Sequence, residues 1–250
     1  MIDNGLYLYA IMNNGRGRSF GPVGIGDQGG EVYTVSHGDV SAVVSPSPVR
    51  EYPVTRANTL AHQKVMEAVM ACGPMLPVRF GVIGESEEPI RERVLKTRYD
   101  EFREALEGPG SKVELGLKAM WIDLQAVFAE IVAENQDIRR LRDRVTSGKG
   151  ARQSDKVRLG EMVKKALEKK KERFQDDLVA AFKGHFADFR ANRLFGDQVA
   201  ANLAFLVARE EERAFDGLVN EVTSRFNGSV RFKYVGPVPP CNFVEIAVTW

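Results

Sequence analysis

Between Gly73 and Gly84 the chain reads Gly-Pro-Met-Leu-Pro-Val-Arg-Phe-Gly-Val-Ile-Gly, a short apolar stretch closed by glycines with helical spacing before and after it. That pattern predicts a buried strand set between two helices. Proline has no N–H to give a ladder, so Pro74 marks the entry to the strand and Pro77 a kink within it. Arg79 is the one charge in the run; it faces solvent, pairs with a carboxylate or meets a partner.

Upstream, Leu6-Tyr7-Leu8-Tyr9-Ala10-Ile11 is aromatic, β-prone and apolar on both faces, which predicts a central first strand. A glycine-rich loop follows from Asn13 to Gly30. Within it Gly24-Ile25-Gly26-Asp27-Gln28-Gly29 spells G-x-G-x-x-G, yet the run neither follows a strand directly nor opens a helix, the two conditions a dinucleotide site sets. Val32 to Val35 and Val40 to Val44 flank Ser36-His37-Gly38-Asp39, a hairpin with His37 at its tip as a solvated turn residue.

After Pro46, Pro48 and Pro53, helical spacing places Ala57, Ala61, Val65, Ala68 and Cys72 on one face, with Leu60 and Val69 at its border and His62 and Lys64 turned outward. A second helix opens at Ser86 with Glu87 and Glu88 in its first turn, buries Ile90, Val94, Phe102 and Leu106, and stops at Gly108-Pro109-Gly110. The first segment thus reads β-β-β-α-β-α, a rearrangement of the split β-α-β theme.

Val113 to Ala119 alternates, which predicts a half-buried strand with Glu114 and Lys118 in water. Helical spacing then runs through Leu124, Val127, Phe128 and Ile131 and on through Ile138, Leu141 and Val145 to a break at Thr146-Ser147-Gly148-Lys149-Gly150. A long charged helix from about Ser154 to Lys183 carries Val163, Leu167, Phe174, Leu178 and Phe182 on its apolar face and ends near His185. A strand within Phe186 to Arg190, another over Asn202 to Ala208, a helix opened by Glu210, Glu211 and Glu212 and capped at Asn227-Gly228, and a strand from Val230 to Val235 complete the chain. This half has the β-α-β-β-α-β order of ferredoxin-like units, with a helical insertion over about 123–185. The fold class is α+β in two domains: a modified ferredoxin-like unit over 1–110 and a ferredoxin-like α/β unit over 111–250.

At 250 residues the chain is long enough for two domains of the usual size, and 35 basic against 34 acidic residues leave a net charge of +1. No global field draws it to nucleic acid or to an anionic membrane. The lysines near 164–171 interleave with Glu161, Glu168 and Glu172, which describes a solvated, ion-paired face and not a phosphate track. Cys72 and Cys241 stand far apart and in no metal spacing, a usage that fits a reducing, cytoplasmic compartment. No signal-peptide pattern and no run of ~18 apolar residues is found, so neither secretion nor membrane spanning is expected.

Motifs for zinc, nucleophilic hydrolysis, phosphate loops and calcium are missing, and no metal or cofactor is expected. Catalysis is unsupported by any constellation of residues. A ligand-binding regulatory module stays open, as does an enzyme whose groups converge from distant segments.

Three stretches together resemble the gas vesicle proteins F and L: Gly5-Leu6-Tyr7-Leu8-Tyr9-Ala10-Ile11, Pro74-Met75-Leu76-Pro77-Val78-Arg79-Phe80-Gly81, and Asn202 to Val207 with the terminal Gly236-Pro237-Val238-Pro239-Pro240-Cys241-Asn242-Phe243-Val244. Val238 stands where that family usually has an aromatic, and Cys241-Asn242 where it usually has Tyr-Ser. The resemblance implies a minor, non-enzymatic gas vesicle protein that associates with the hydrophobic shell protein A and other gas vesicle proteins, assists early assembly by limiting aggregation of the shell protein, and so supports buoyancy. For the contact with that partner, Pro237, Pro239, Pro240 and Phe243 in the terminal turn are the expected residues, against the alternative that these prolines only stop the last strand.

Overall fold

A computed structural model describes residues 5–26, 29–48, 51–147, 152–226, 228–244 and 246–248. It falls into two compact units. The first takes the described residues of Met1–Leu115, Leu206–Glu210 and Gly236–Trp250, the second those of Gly116–Phe205 and Glu211–Val235. The single division expected at 110/111 does not describe this, because long strands run on across the boundary and the segment after Val235 returns to the first unit.

In the first unit β1 (Gly5–Asn13), β2 (Ser19–Gly21), β3 (Val32–His37), β4 (Val40–Ser47), β5 (Met75–Pro77) and β6 (Ile83–Gly84) build a sheet of order β2-β3-β4-β1-β5, with β6 also on β1 and α1 (Arg56–Met70) between β4 and β5 in the chain. β1 is central, as its apolar faces require. It pairs antiparallel with β4 from Gly5↔Ser47 to Asn13↔Val40, with an irregularity between Leu8 and Ala10. A one-residue slip flips the alternation, so the face that begins with Leu6 and Leu8 continues with Ile11. That face joins Val35, Val44, Leu76 and Val78 in the core.

The Gly73–Gly84 stretch is not one buried strand. It contributes two short pieces, β5 and β6, that both pair antiparallel with β1, through Ala10↔Pro77 and Tyr7↔Ile83 among others. Between them the pairing is irregular but not lost: the Val78 N–H donates to the Tyr9 carbonyl at 3.0 Å and the Leu8 N–H to the Val82 carbonyl at 2.9 Å, while Val78 also forms a parallel bridge with Ile246 and Arg79 is exposed. The expected hairpin forms as β3 and β4, paired from Tyr33↔Val44 to His37↔Val40. β2 arises inside the glycine-rich loop, where composition gives no strand signal.

The second expected helix is three pieces in succession: α2 (Glu87–Pro89) behind Ser86, a π-helical stretch Ile90–Lys96, and α3 (Tyr99–Glu107). Ile90, Val94, Phe102 and Leu106 are all buried in the same core, as their spacing predicts.

The second unit is built on β7 (Lys112–Trp121), α4 (Leu124–Glu134), α5 (Gln136–Thr146), α6 (Gln153–Ala181), β8 (Asp188–Ala191), β9 (Val199–Ala208), α7 (Glu212–Ser224) and β10 (Val230–Val238). Its antiparallel sheet has the order β10-β7-β9-β8. The β-α-β-β-α-β succession stands, with three helices where a simple unit has one. Phe182, Phe205 and Phe215 form its aromatic centre with ring centroids 5.1 to 5.3 Å apart. Asn227 of the expected cap, Gly148 to Gly150 of the expected break, and Asp27-Gln28 of the glycine motif lie outside the described residues.

Candidate partner-binding surfaces

Tyr7, Tyr9 and His62 cluster at the buried face of α1, which is His62, Val65, Met66, Val69 and Met70. His62 therefore points inward, not to water, and Cys72 is exposed. The spacing 62, 65, 66, 69 is a helical stripe that only the polarity of histidine hid. Nδ1 of His62 lies 3.0 Å from the Tyr7 hydroxyl, which also accepts the Gly81 N–H at 3.0 Å. Burial pushes the imidazole down to about 4, against a hydrogen bond with the Val78 backbone that favours the charged ring.

Tyr9 completes this polar layer. Its hydroxyl is 2.8 Å from Ser45 Oγ and accepts the Ile25 N–H at 2.7 Å. The glycine motif is thereby explained, since a backbone donor that a phosphate cradle would need is already given to Tyr9. Gly24 is required by close approach: a Cβ there would lie 2.6 Å from the Gly30 carbonyl oxygen. Among the described residues no group of three His, Cys, Asp or Glu side chains is placed to hold a metal ion.

The terminal turn is divided in its exposure. Pro237 is exposed, Phe243 is half-buried, and Pro239 and Pro240 are buried. β10 runs through Pro237 to Val238, so that proline does not end the strand. What fixes the turn is Glu114, expected in water but 6% exposed. Its Oε2 accepts the Asn242 N–H at 2.9 Å and its Oε1 the Asn242 Nδ2 at 2.5 Å. Burial pushes the Glu114 carboxyl up, and the two Asn242 donors pull it the other way.

The second unit carries an apolar depression of about 610 Å³ formed by α4, α5 and α6. Phe128, Val145, Leu159, Val163 and Leu167 line it, with Lys156, Lys164 and Asp197 beside them. A neighbouring hollow of about 380 Å³ shares Lys164, Leu167 and Asp197 and adds Lys171. That lysine, expected on the solvated face, is buried, and its Nζ donates to the Gly196 carbonyl at 2.9 Å. Lys170, by contrast, pairs with Glu130 at 3.1 Å and Glu134 at 3.2 Å, the ion-paired behaviour that the interleaved charges predict. Leu159 and Val163 stand four apart on α6, ahead of Leu167, so the groove wall was readable as the N-terminal part of the helix's apolar stripe.

A family model described as gas vesicle synthesis protein GvpL/GvpF matches residues 5–245. The chain belongs to this family. Gas vesicle protein F of Streptomyces sp. strain CB03234 is 30% identical over 222 residues, covering 89% of this chain and 91% of the relative. Gas vesicle protein F of Nostoc sp. is 24% identical across 98% of this chain and the whole of its own length. The crystal structure of GvpF from Anabaena sp. superimposes with a TM-score of 0.84 over 98% of this chain and 100% of its own, at 23% identity, and that from Microcystis aeruginosa with 0.78 over 96% and 98%, at 22% identity. Membership in the GvpL/GvpF family gives the chain a role in gas vesicle formation and an association with gas vesicles. Among the described residues no helix is long and apolar enough to cross a membrane.

Proposed function

We propose that this member of the GvpL/GvpF family binds the small hydrophobic shell protein, gas vesicle protein A, and keeps it from aggregating until it joins the growing wall. A wall that excludes liquid water needs subunits with extensive apolar surface, and such surface self-associates unless it is covered. The observation that carries the reading is the groove of α4, α5 and α6, lined mainly by apolar side chains together with Lys156, Lys164 and Asp197. An amphipathic helix lays its apolar face into a groove of this kind while its polar face stays wet. The terminal turn is a second contact in this proposal, with Pro237 and Phe243 reaching the partner and the buried Pro239 and Pro240 holding them in place.

Co-expression of the shell protein with and without this chain tests the proposal. The soluble fraction of shell protein rises when the chain is present; identical pelleting in both cases overturns it.

A further inference from the structure

β8 is the outer strand of the second unit's sheet, and its residues Phe189, Arg190 and Ala191 are exposed. The Asn192 N–H donates to the Asn202 carbonyl at 2.7 Å, so even-numbered residues of this segment face β9 with their backbone groups. Phe189 therefore turns its N–H and C=O to the open edge. Both are covered by its own neighbours: its N–H donates to Asp188 Oδ1 at 2.8 Å, and its carbonyl accepts Arg190 Nη1 at 3.1 Å. Asp188 and Arg190 are themselves joined at 2.8 Å on one side of the strand, while Phe189 lies on the other beside Phe186, with ring centroids 5.7 Å apart.

This arrangement is complementary to its own image. In an antiparallel pair with a twofold axis through Phe189, each Phe189 exchanges both backbone bonds with its counterpart, and each Asp188 stands opposite an Arg190. The side chains that shield the edge in one chain are then the ones that pair across the two chains, so each charge keeps an opposite partner. The two phenyl rings meet on the other face, next to a hollow of about 410 Å³ lined by Val179, Ala180 and Phe186. We propose that β8 is a self-association edge, through which two copies of this chain join their four-stranded sheets into one of eight strands.

Sedimentation of the full chain with reversed charges tests this. Arg190→Asp alone sets carboxylate against carboxylate across the twofold axis, and Asp188→Arg alone sets guanidinium against guanidinium; each variant sediments as a monomer where the unaltered chain sediments as a dimer. An equimolar mixture of the two variants regains the dimer, because each acidic edge then meets a basic one. A variant that merely misfolds does not recover on mixing. A monomeric unaltered chain, single variants that dimerise as it does, or a mixture that stays monomeric overturns the proposal.

Discussion

Tyr7 and His62, on the central strand and on the helix above it, meet at 3.0 Å in the interior of the first unit. The other hydrogen bond of the imidazole is to the Val78 backbone, so the neutral ring ties together the strand, the helix and the segment after β5. A neutral imidazole satisfies both contacts by donating from one nitrogen and accepting at the other.

Acid should undo this contact first. His62 takes a proton at about 4 in the folded chain and near 6.5 when unfolded, so the unfolded state binds more protons across that interval. Stability therefore falls as pH drops from 6.5 towards 4, by up to about 3 kcal/mol from this group. Melting temperatures measured across that range should show the loss, and the His62→Gln chain should show a visibly shallower slope.

Asn242→Ala removes one of two donors to a buried carboxylate, and the cost should be about 1–3 kcal/mol in urea unfolding. Losing that donor pushes the Glu114 carboxyl further up. The charged form is the one that suffers, so the penalty is larger at pH 7 than below the usual glutamate range. Faster proteolysis of the segment after Val235 should accompany it.

Phe182 stacks on Phe215 at 5.1 Å and lies edge-on to Phe205 at 5.3 Å, with no exposure of its own. Phe182→Ala leaves a hole at the end of α6, and about 3–5 kcal/mol of stability should go with it. Thermal or denaturant unfolding measures that directly.

Gly236 holds a φ of +139°, and a Cβ there would lie 2.7 Å from Leu115 Cδ2 and 2.9 Å from the Glu114 carbonyl oxygen. Gly236→Ala meets both backbone strain and a clash with backbone, so it should destabilise by more than about 1 kcal/mol. A lowered urea midpoint with an unchanged slope is the expected result.

The strands and helices were legible where a run of apolar residues is decided by nearby sequence. β1 and β9 are nearly all apolar and sit inside, and Ile90, Val94, Phe102 and Leu106 fall on one face despite the π-helical interruption. Three misread polar residues share one cause. His62, Glu114 and Lys171 carry polar groups that local spacing assigns to water, yet each is satisfied by a partner 55, 128 and 25 residues away. Local periodicity does not contain that information. The contact that Ile25 of the glycine motif makes, donating its N–H to the Tyr9 hydroxyl, also needed tertiary structure. Nor did the sequence of the terminal turn show that two of its three prolines, Pro239 and Pro240, are interior.

The groove is the centre of the functional account, and Val163 lies on its wall. The decisive measurement is the amount of shell protein A left in the supernatant after co-expression with the unaltered chain, with Val163→Asp, or with neither. The account predicts a high yield with the unaltered chain and a return to the unaccompanied level with Val163→Asp, at an unchanged circular dichroism spectrum and melting temperature within a few degrees. Equal yields from the two chains would contradict it.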